Sequence, residues 1–303
     1  MRRARRVIID TDPGLDDAVA ILFALSCGRF EIVGLTTVAG NIGIETTTRN
    51  AGRLLALMGR ADVPVVAGAS APLRRGGIEE RAIHGDDGLG GVMLPAPQAS
   101  PLEGAAAWMA KVLTEGAAHS IDVLALGPLT NIARLVLDHP EAAGRIGRLI
   151  VMGGAIDEPG NVGPRSEFNL ACDPEAADIV LRAGLDTTLI PLDVTRKVRA
   201  GRDWLSALRA SGGRAAGTCA DLIEAYFASS GGRESRPLHD PCVMLFALQP
   251  ALFAIDTRDV SVELGAGADA GALLTGRQDG VALRVALRVD AAGALRLLAD
   301  GLR

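Results

Sequence analysis

The stretch VIIDTDPGLDDAVAILFAL, residues 7–25, joins two apolar runs through a turn that carries four aspartates. The first run, residues 7–10, is short and rich in β-branched residues, which predicts a buried strand. Pro13 and Gly14 then predict a turn. The second apolar run, residues 18–25, predicts a helix that begins just after the aspartates. The stretch therefore predicts a strand, a tight acidic turn and a helix in immediate succession.

The same alternation of strand and helix patterns continues along the chain. Further strands are predicted at residues 31–38, 64–66, 122–126, 149–152 and 187–193. Helices are predicted at residues 17–25, 46–58, 104–113 and 174–182. Residues 202–248 are predicted to be mainly helical. The tail from about residue 260 is predicted to contain strands and a last helix at 291–302. This alternation predicts an α/β fold, with an open, mostly parallel (mixed) sheet and helices on both faces, in one domain spanning residues 1–303.

Composition and charge exclude several classes of protein. The 303 residues are 49% hydrophobic and carry a net charge of −5, so the chain shows no electrostatic basis for binding nucleic acid or an anionic membrane. Four widely spaced cysteines form no CxxC pair, and we expect reduced thiols rather than disulfides or a zinc site. The start MRRARR is followed by only three apolar residues, so we expect no signal peptide. No apolar run could span a bilayer, and we expect a soluble, cytoplasmic protein.

The aspartates at positions 10, 12, 16 and 17 are more than the local structure needs. One or two of them can cap the following helix, whose first turn favours acidic side chains. Four carboxylates packed together either raise one another's pKa or require a cation. A hard divalent cation with oxygen ligands satisfies this arrangement. The turn therefore predicts a metal site.

Two other classes of acidic loop fit less well. An EF-hand is excluded, because it needs acids at positions 1, 3 and 5 and Glu at position 12. Counting from Asp10, position 5 is Gly14 and position 12 is Ile21. A haloacid dehalogenase-type phosphatase carries Asp-x-Asp after its first strand, and Asp10-Thr11-Asp12 fits that pattern. Gly14 then stands where such phosphatases usually carry Thr or Val. The phosphatase remains an alternative.

Polar residues recur directly after several predicted strands. Asp12 follows the first strand, Asn41 follows the second, residues 127–131 follow the strand at 122–126, and Asn161 follows the strand at 149–152. The carboxyl ends of parallel strands share one edge of the sheet, where ligands bind. We therefore expect these residues to meet in one crevice.

The segment PLHDPCVMLFAL places His239 and Asp240 directly before a proline and an apolar helix. Helix capping by Asp240 explains the pattern, and Asp173-Pro174 shows the same arrangement elsewhere. His239 adds a group that exchanges protons near neutral pH. The sequence leaves capping and catalysis open for this segment.

Two loops allow the same pair of interpretations. RAIHGDDGLGG places His84 among glycines and acids, which suits a lid that closes over a ligand or an ordinary surface loop. GNVGPRSEFNLACDPEAA carries Asn161, Glu167 and Asn169. Carboxylate and amide groups suit the recognition of sugar hydroxyls, although a polar loop with Asx turns is the structural alternative.

Taken together and in order, these motifs are much more specific than any one of them. DTDPGLDDAVA, TTVAGN, HGDDGLGG, LALGPLTNIA, IVMGGA, GNVGPRSEFNLACDPEAA and HDPC occur along residues 7 to about 250. In this combination the chain resembles the inosine–uridine preferring nucleoside hydrolase family. The resemblance implies a Rossmann-like α/β fold, a tightly bound Ca²⁺, and hydrolysis of the N-glycosidic bond of ribonucleosides to ribose and free base through an oxocarbenium-like transition state.

The resemblance also implies roles for individual residues. Asp12 matches the general base that activates a water beside the cation. His239 and His84 match positions near the leaving base, and either could donate a proton to it, His84 from the lid. The metal ligands implied are Asp12, Asp17, the main-chain carbonyl of Leu126, and Asp240. The substrate-binding residues implied are Asp16, which binds the ribose 2′-hydroxyl, Asn41, His84, Met152, Asn161, Glu167 and Asn169. Asp10 is expected to support these groups without touching the ligand. A homodimer or homotetramer is implied by the same resemblance.

Two alternatives and one gap remain at this point. A calcium-dependent ribose- or nucleoside-binding protein would use the ion only to hold hydroxyls, without turnover. The phosphatase would need Mg²⁺ and form an aspartyl-phosphate. Base preference is open, because Tyr226 and Phe227 are followed by ASSGGRESRPL, residues 228–238, which we expect to be flexible. Another N-riboside, such as nicotinamide riboside, also remains open as the substrate.

Overall fold

The computed structural model describes residues 4–229 and 234–303. The strands are β1 Arg5–Thr11, β2 Phe30–Thr37, β3 Val65–Ala67, β4 Leu102–Glu103, β5 Asp122–Ala125, β6 Leu149–Met152, β7 Thr187–Ile190, β8 Arg199–Gly201, β9 Ser235–Pro237, β10 Phe253–Val262, β11 Leu273–Thr275 and β12 Val281–Val289. The helices are α1 Leu15–Ser26, α2 Ile44–Leu57, α3 Arg81–His84, α4 Ala105–Glu115, α5 Thr130–Asp138, α6 Pro140–Ala143, α7 Phe168–Cys172, α8 Pro174–Arg182, α9 Leu192–Thr195, α10 Arg202–Ala210, α11 Arg214–Ala228, α12 Pro241–Leu248 and α13 Ala291–Leu302.

Ten of the strands in the described residues form one sheet. Their order is β11-β10-β12-β7-β6-β5-β1-β2-β3-β4. All neighbours pair in parallel except β10, which is antiparallel to both β11 and β12. The predicted open, mostly parallel and mixed sheet is therefore confirmed.

Hydrophobic cores cover both faces of this sheet. Along β1, Val7 and Ile9 belong to one core and Ile8 to the other, because successive side chains of a strand point to opposite faces. The strands β5 and β6 are buried along their whole length, as expected for parallel strands covered on both sides. Helices lie on both faces, as predicted.

The helix α1 is the structural centre of the first core. It packs against α11, α12 and α13, and residues 15–24 are buried, the two aspartates included. The helix α12 is buried on every side. The acidic turn before α1 and the start of α12 are therefore held in fixed positions by apolar packing.

The sheet contains a switch point between β1 and β5. The strand β1 pairs with β2 on one side and with β5 on the other, so the loops that leave these strands diverge at their carboxyl ends. In open α/β sheets ligands bind in the crevice at such a point. The acidic turn follows β1 and residues 126–129 follow β5, so both loops lie at this crevice.

Several element boundaries differ from the prediction. The strand predicted at 187–193 ends at Ile190, since Pro191 precedes the short helix α9. The helical region 202–248 is interrupted by β9, which pairs with β8 in a separate two-stranded sheet. Of the segment 228–238 predicted to be flexible, residues 230–233 lie outside the described residues, while residues 235–237 form β9. The strand β10 begins at Phe253, earlier than predicted.

Two further expectations concern cysteines and membranes. All four cysteines are free and none forms a disulfide, as predicted. None of the helices in residues 4–229 and 234–303 combines the length and apolar character that a bilayer span requires.

Candidate active site

The acidic turn is organised around the carboxylate of Asp17. Its Oδ1 accepts a hydrogen bond from Thr11 Oγ1 at 2.6 Å, and its Oδ2 accepts bonds from Gly14 N at 3.0 Å and Asn41 Nδ2 at 3.1 Å. The Asp17 side chain therefore closes the turn between β1 and α1 and ties it to the loop after β2. A Cβ at Gly14 would lie 2.5 Å from His84 Nδ1, so glycine lets this imidazole approach the turn.

Asp16, Asp17 and Asp240 form a buried acidic cluster. Each offers one carboxylate oxygen, and the three oxygens lie within 4.8 Å of one another. Burial, together with Asp17, raises the pKa of Asp16 to about 7, and burial together with Asp16 and Asp17 raises the pKa of Asp240. Buried carboxyls packed this closely call for a compensating cation.

Asp12 adjoins the same cluster. Its Oδ2 accepts a hydrogen bond from Asn41 N at 2.7 Å, whereas its Oδ1 is buried with no hydrogen-bond partner in the described residues. Burial raises its pKa, with a further contribution from the Asp17 charge. An unpartnered carboxylate oxygen beside three more carboxyls is a donor set that fits a divalent cation.

Asp240 and Asp173 begin helices with the same Asp-Pro pattern but use their side chains differently. Asp173 caps α8 by accepting a bond from Ala176 N at 3.1 Å. Asp240 makes no capping bond to α12 and instead lies in the acidic cluster. Capping therefore explains Asp173 and does not explain Asp240.

Asp10 lies below the turn, away from the open cavity. Its Oδ1 accepts bonds from Thr36 Oγ1 at 2.5 Å and Asn131 Nδ2 at 2.8 Å, and burial raises its pKa to about 6. Asn131, which we expected in the crevice, also donates to Thr37 O and is buried beneath it. A phosphatase would need Asp10 as an accessible nucleophile, and this burial argues against that alternative.

An open cavity of about 540 Å³ lies above the acidic cluster. Ten of the residues predicted for the site line it, namely Asp16, Asn41, His84, Leu126, Met152, Asn161, Glu167, Asn169, His239 and Asp240. Asp12 and Asp17, the other two, are buried at the cluster. Residues far apart in sequence thus meet in one crevice, because their loops leave the same edge of the sheet.

The loop before α7 contributes a tightly held group of polar side chains. Glu167 caps α7 by accepting bonds from Asn169 N and Leu170 N, and it also binds Gly154 N at 2.9 Å. Burial raises its pKa to about 7 despite these three donors. Asn169 Nδ2 donates to Leu126 O at 2.6 Å, and this carbonyl is the one that the resemblance implies as a metal ligand.

Both predicted histidines carry lowered pKa values. His84 lies at the end of α3, and burial lowers its pKa to about 4. Its Nδ1 accepts a hydrogen bond from Leu15 N at 3.0 Å, so that nitrogen carries a lone pair. Burial, with Arg196 and other arginines, lowers the pKa of His239 to about 3, and its Nδ1 lies 2.8 Å from Thr195 Oγ1. Burial thus favours the neutral form of both imidazoles, and the proton-donor role expected for His239 or His84 stays a prediction.

Three arginines that the sequence did not single out also line the cavity, at positions 196, 199 and 236. Arg236 packs over the Tyr226 ring, with its Cζ 3.8 Å from the ring centroid. Tyr226 in turn stacks with His84 at a centroid distance of 6.4 Å. The only sequence signal for Arg236 is its place three residues before His239, in a segment that we expected to be flexible.

Comparison with known proteins agrees with this geometry. The family model for inosine-uridine preferring nucleoside hydrolase matches residues 7–296. A relative named pyrimidine-specific ribonucleoside hydrolase RihA, from Salmonella gallinarum, is 38% identical over 308 residues, covering 98% of each chain.

Two solved structures share the whole fold. The plant nucleoside hydrolase PpNRh1 superposes with a TM-score of 0.91 at 34% identity, covering 99% of both chains. The purine-preferring ribonucleoside hydrolase from Gardnerella vaginalis superposes with a TM-score of 0.90 at 30% identity, covering 98% of both chains. The chain belongs to the inosine–uridine preferring nucleoside hydrolase family, whose members hydrolyse N-glycosyl bonds.

Proposed function

We propose that the protein is a Ca²⁺-dependent ribonucleoside hydrolase, which converts a ribonucleoside and water into ribose and the free base. The observation that carries this proposal is the buried acidic cluster at the base of an open, polar cavity, with Asp12 beside it. A calcium-dependent binding protein needs only the ion and hydroxyl-binding groups. Hydrolysis also needs a base beside the attacking water, and Asp12, whose Oδ1 has no hydrogen-bond partner in the described residues, supports that role.

Asp12 is the proposed general base. Its Oδ2 is fixed by Asn41 N, which orients the carboxylate and leaves Oδ1 as the acceptor. A water hydrogen-bonded to Oδ1 would lose its proton to Asp12 as it adds to the anomeric carbon. Asp10, Thr36 and Asn131 hold the strand end from which Asp12 projects.

The ribose is proposed to lie between the acidic cluster and the loop before α7. Asp16 and Asn169 line the cavity on these two sides, and together with Asn41, Asn161 and Glu167 they offer polar atoms to the hydroxyls. Met152 and His84 complete the proposed substrate-binding set. Because Glu167 and Asn169 are held by backbone hydrogen bonds, they are preorganised. Fixed positioning of the sugar lowers the entropic barrier to attack by water.

Asp12, Asp17, Asp240 and the Leu126 carbonyl are the proposed ligands of the cation, and Asp16 belongs to the same cluster. Carboxylate and carbonyl oxygens are the ligands that Ca²⁺ prefers. When bound, the cation would neutralise the cluster, favour ionised carboxylates and promote deprotonation of a neighbouring water.

Release of ribose from uridine, cytidine, inosine and adenosine tests this function. We expect release in phosphate-free buffer that is lost after prolonged chelation and restored by Ca²⁺. Binding of ribose without release from any nucleoside would instead indicate a binding protein. The same reactions rank the bases, since the named relatives include both pyrimidine-specific and purine-preferring enzymes.

Three coarser properties are also proposed. The chain is one catalytic domain over residues 1–303, it assembles into a homodimer or homotetramer, and it acts in the cytoplasm on a small-molecule substrate. Light scattering coupled to gel filtration measures the assembly, and cell fractionation measures the location.

A further inference from the structure

The buried guanidinium of Arg236 is not used by the hydrolysis described above. We propose that Arg236 contacts the base of the substrate and stabilises the negative charge that develops on it as the N-glycosidic bond breaks. Bases that leave as anions with the charge on an oxo oxygen, such as uracil and hypoxanthine, would then be preferred over adenine, which has no oxo group. This inference rests on the proposed hydrolase function.

The fold fixes Arg236 at the cavity. It lies in the middle of β9, paired with Ala200 of β8, and three residues before His239. Its side chain lines the cavity although the residue is only 9% exposed. One face of the guanidinium packs on the Tyr226 ring, with Cζ 3.8 Å from the ring centroid. This packing fixes the orientation of the guanidinium and of its opposite face.

The guanidinium of Arg236 has a buried donor that no protein group satisfies in the described residues. Within the described residues its Nε is buried without a hydrogen-bond partner, although the guanidinium also hydrogen-bonds the Tyr226 side chain. A buried cation without a close counter-ion is unfavourable unless a ligand supplies the partner. Asp16 is near enough for Arg236 to influence it electrostatically, which places Arg236 at the cluster end of the cavity.

The neighbouring arginines are committed to other groups. Arg196 donates to the carbonyls of Pro159 and Gly160, both at 2.7 Å, and approaches Glu158. Arg199 donates to the side chain and carbonyl of Ser235. Among the three guanidiniums that line the cavity, Arg236 is thus the one whose donors best suit a ligand.

A positive charge at this position suits the chemistry of the leaving group. When the carbon–nitrogen bond breaks, its electron pair stays on the base, and in an oxo base that charge spreads to the oxygen. The water that adds to the sugar gives its proton to Asp12, and the departed base later takes a proton from solvent, so the products are ribose and neutral base. His84 accepts a hydrogen bond from Leu15 N at Nδ1, so a neutral His84 has Nε2–H as its one ring donor and brings no positive charge. Arginine carries its charge at every relevant pH and has only donors.

The test compares two substrates that differ in leaving group. Uridine has a poor leaving group, whereas 4-nitrophenyl β-D-ribofuranoside releases a stable phenolate and needs little assistance. For Arg236→Gln we expect kcat for uridine to fall about 10²–10³-fold, the range seen when one donor to a developing oxyanion is removed. The kcat for the nitrophenyl riboside should change less than about threefold, and Arg236→Lys should recover part of the uridine activity.

Arg202→Gln is the matched control. Arg202 also packs over an aromatic ring, that of Phe227 at 5.5 Å, but it lies on the outer surface away from the cavity. We expect this variant to keep wild-type rates on both substrates. If Arg236→Gln fails to fold, Arg236→Lys provides the same comparison of substrates.

The possible results separate the two proposals. Equal losses on both substrates would mean that Arg236 only holds Tyr226 or the cavity wall, and would overturn the inference. An unchanged rate on uridine would overturn it as well. If the wild-type protein cleaves no riboside, the proposed hydrolase function is wrong. That result comes from the wild-type protein alone, so it is distinct from any effect of the Arg236 variants.

Discussion

Replacement of Asp12 by asparagine tests the centre of the proposed mechanism. The amide oxygen of the new side chain can still accept the 2.7 Å hydrogen bond from Asn41 N, so the turn should keep its geometry. The amide nitrogen then replaces Oδ1, the buried oxygen without a hydrogen-bond partner in the described residues. An amide cannot take a proton from water, and the general base is lost.

The size of the effect follows from this loss. General base catalysis contributes about 10²–10⁴-fold to a rate, which corresponds to about 2.7–5.4 kcal/mol of transition-state stabilisation. We expect kcat of Asp12→Asn to fall by that factor. The metal-free variant should be at least as stable as the metal-free wild type, because a buried carboxyl that is repelled by Asp17 has been removed.

The assay is ribose release from the best substrate at saturating substrate and saturating Ca²⁺, together with thermal melts of the metal-free proteins. Saturating Ca²⁺ is the necessary control, since Asp12 is also a proposed ligand. A near-normal kcat would refute the role of Asp12 as base. Recovery of the wild-type kcat by raised Ca²⁺ alone would show that Asp12 serves only as a ligand.

Three further predictions concern single side chains. Asp240→Ala should weaken Ca²⁺ binding and ribose binding together, and an unchanged Ca²⁺ affinity in calorimetry would contradict its place in the metal site. Asp173 begins a helix with the same Asp-Pro pattern, but its replacement by alanine should leave KM normal. We expect Asp173→Ala to lower the free energy of unfolding by about 2–4 kcal/mol, because a helix cap and the hydrogen bonds from Thr130 and Leu73 are lost. Glu167 has a pKa raised from 4.5 to about 7, so its contribution to stability is present below pH 4.5 and is lost as pH rises to about 7. Thermal melts of Glu167→Gln should therefore decline less over that interval than those of the wild type, and parallel curves would exclude this effect.

The position of the acidic cluster explains why the fold suits this chemistry. The cluster is assembled from the turn after β1 and from the start of α12, two segments that are more than 220 residues apart in the chain. The buried helices α1 and α12 pack together in the first core. Apolar packing thus supplies the rigidity that brings like charges close enough to need a cation.

Much of this architecture is determined by local sequence pattern. The run of residues 7–10, the Pro-Gly turn and the apolar residues after it specify a strand, a turn and a helix through their own periodicity and backbone preferences. The alternation of such units leads to a parallel sheet, and the polar residues at strand ends then share one edge. Ten of the twelve predicted site residues line the cavity for that reason.

Other features depend on contacts that no local pattern encodes. Asp173 and Asp240 precede prolines in the same way, and only the packing of α12 against α1 places Asp240 among carboxylates. Burial and neighbouring charges, which set the pKa values of His84 and His239, exist only in the folded chain. The sequence by itself determined the sheet, the acidic turn and the family. Tertiary structure decided the burial of the two imidazoles and the place of Arg236 in the cavity wall. Both depend on distant segments that pack around a side chain and exclude water from it.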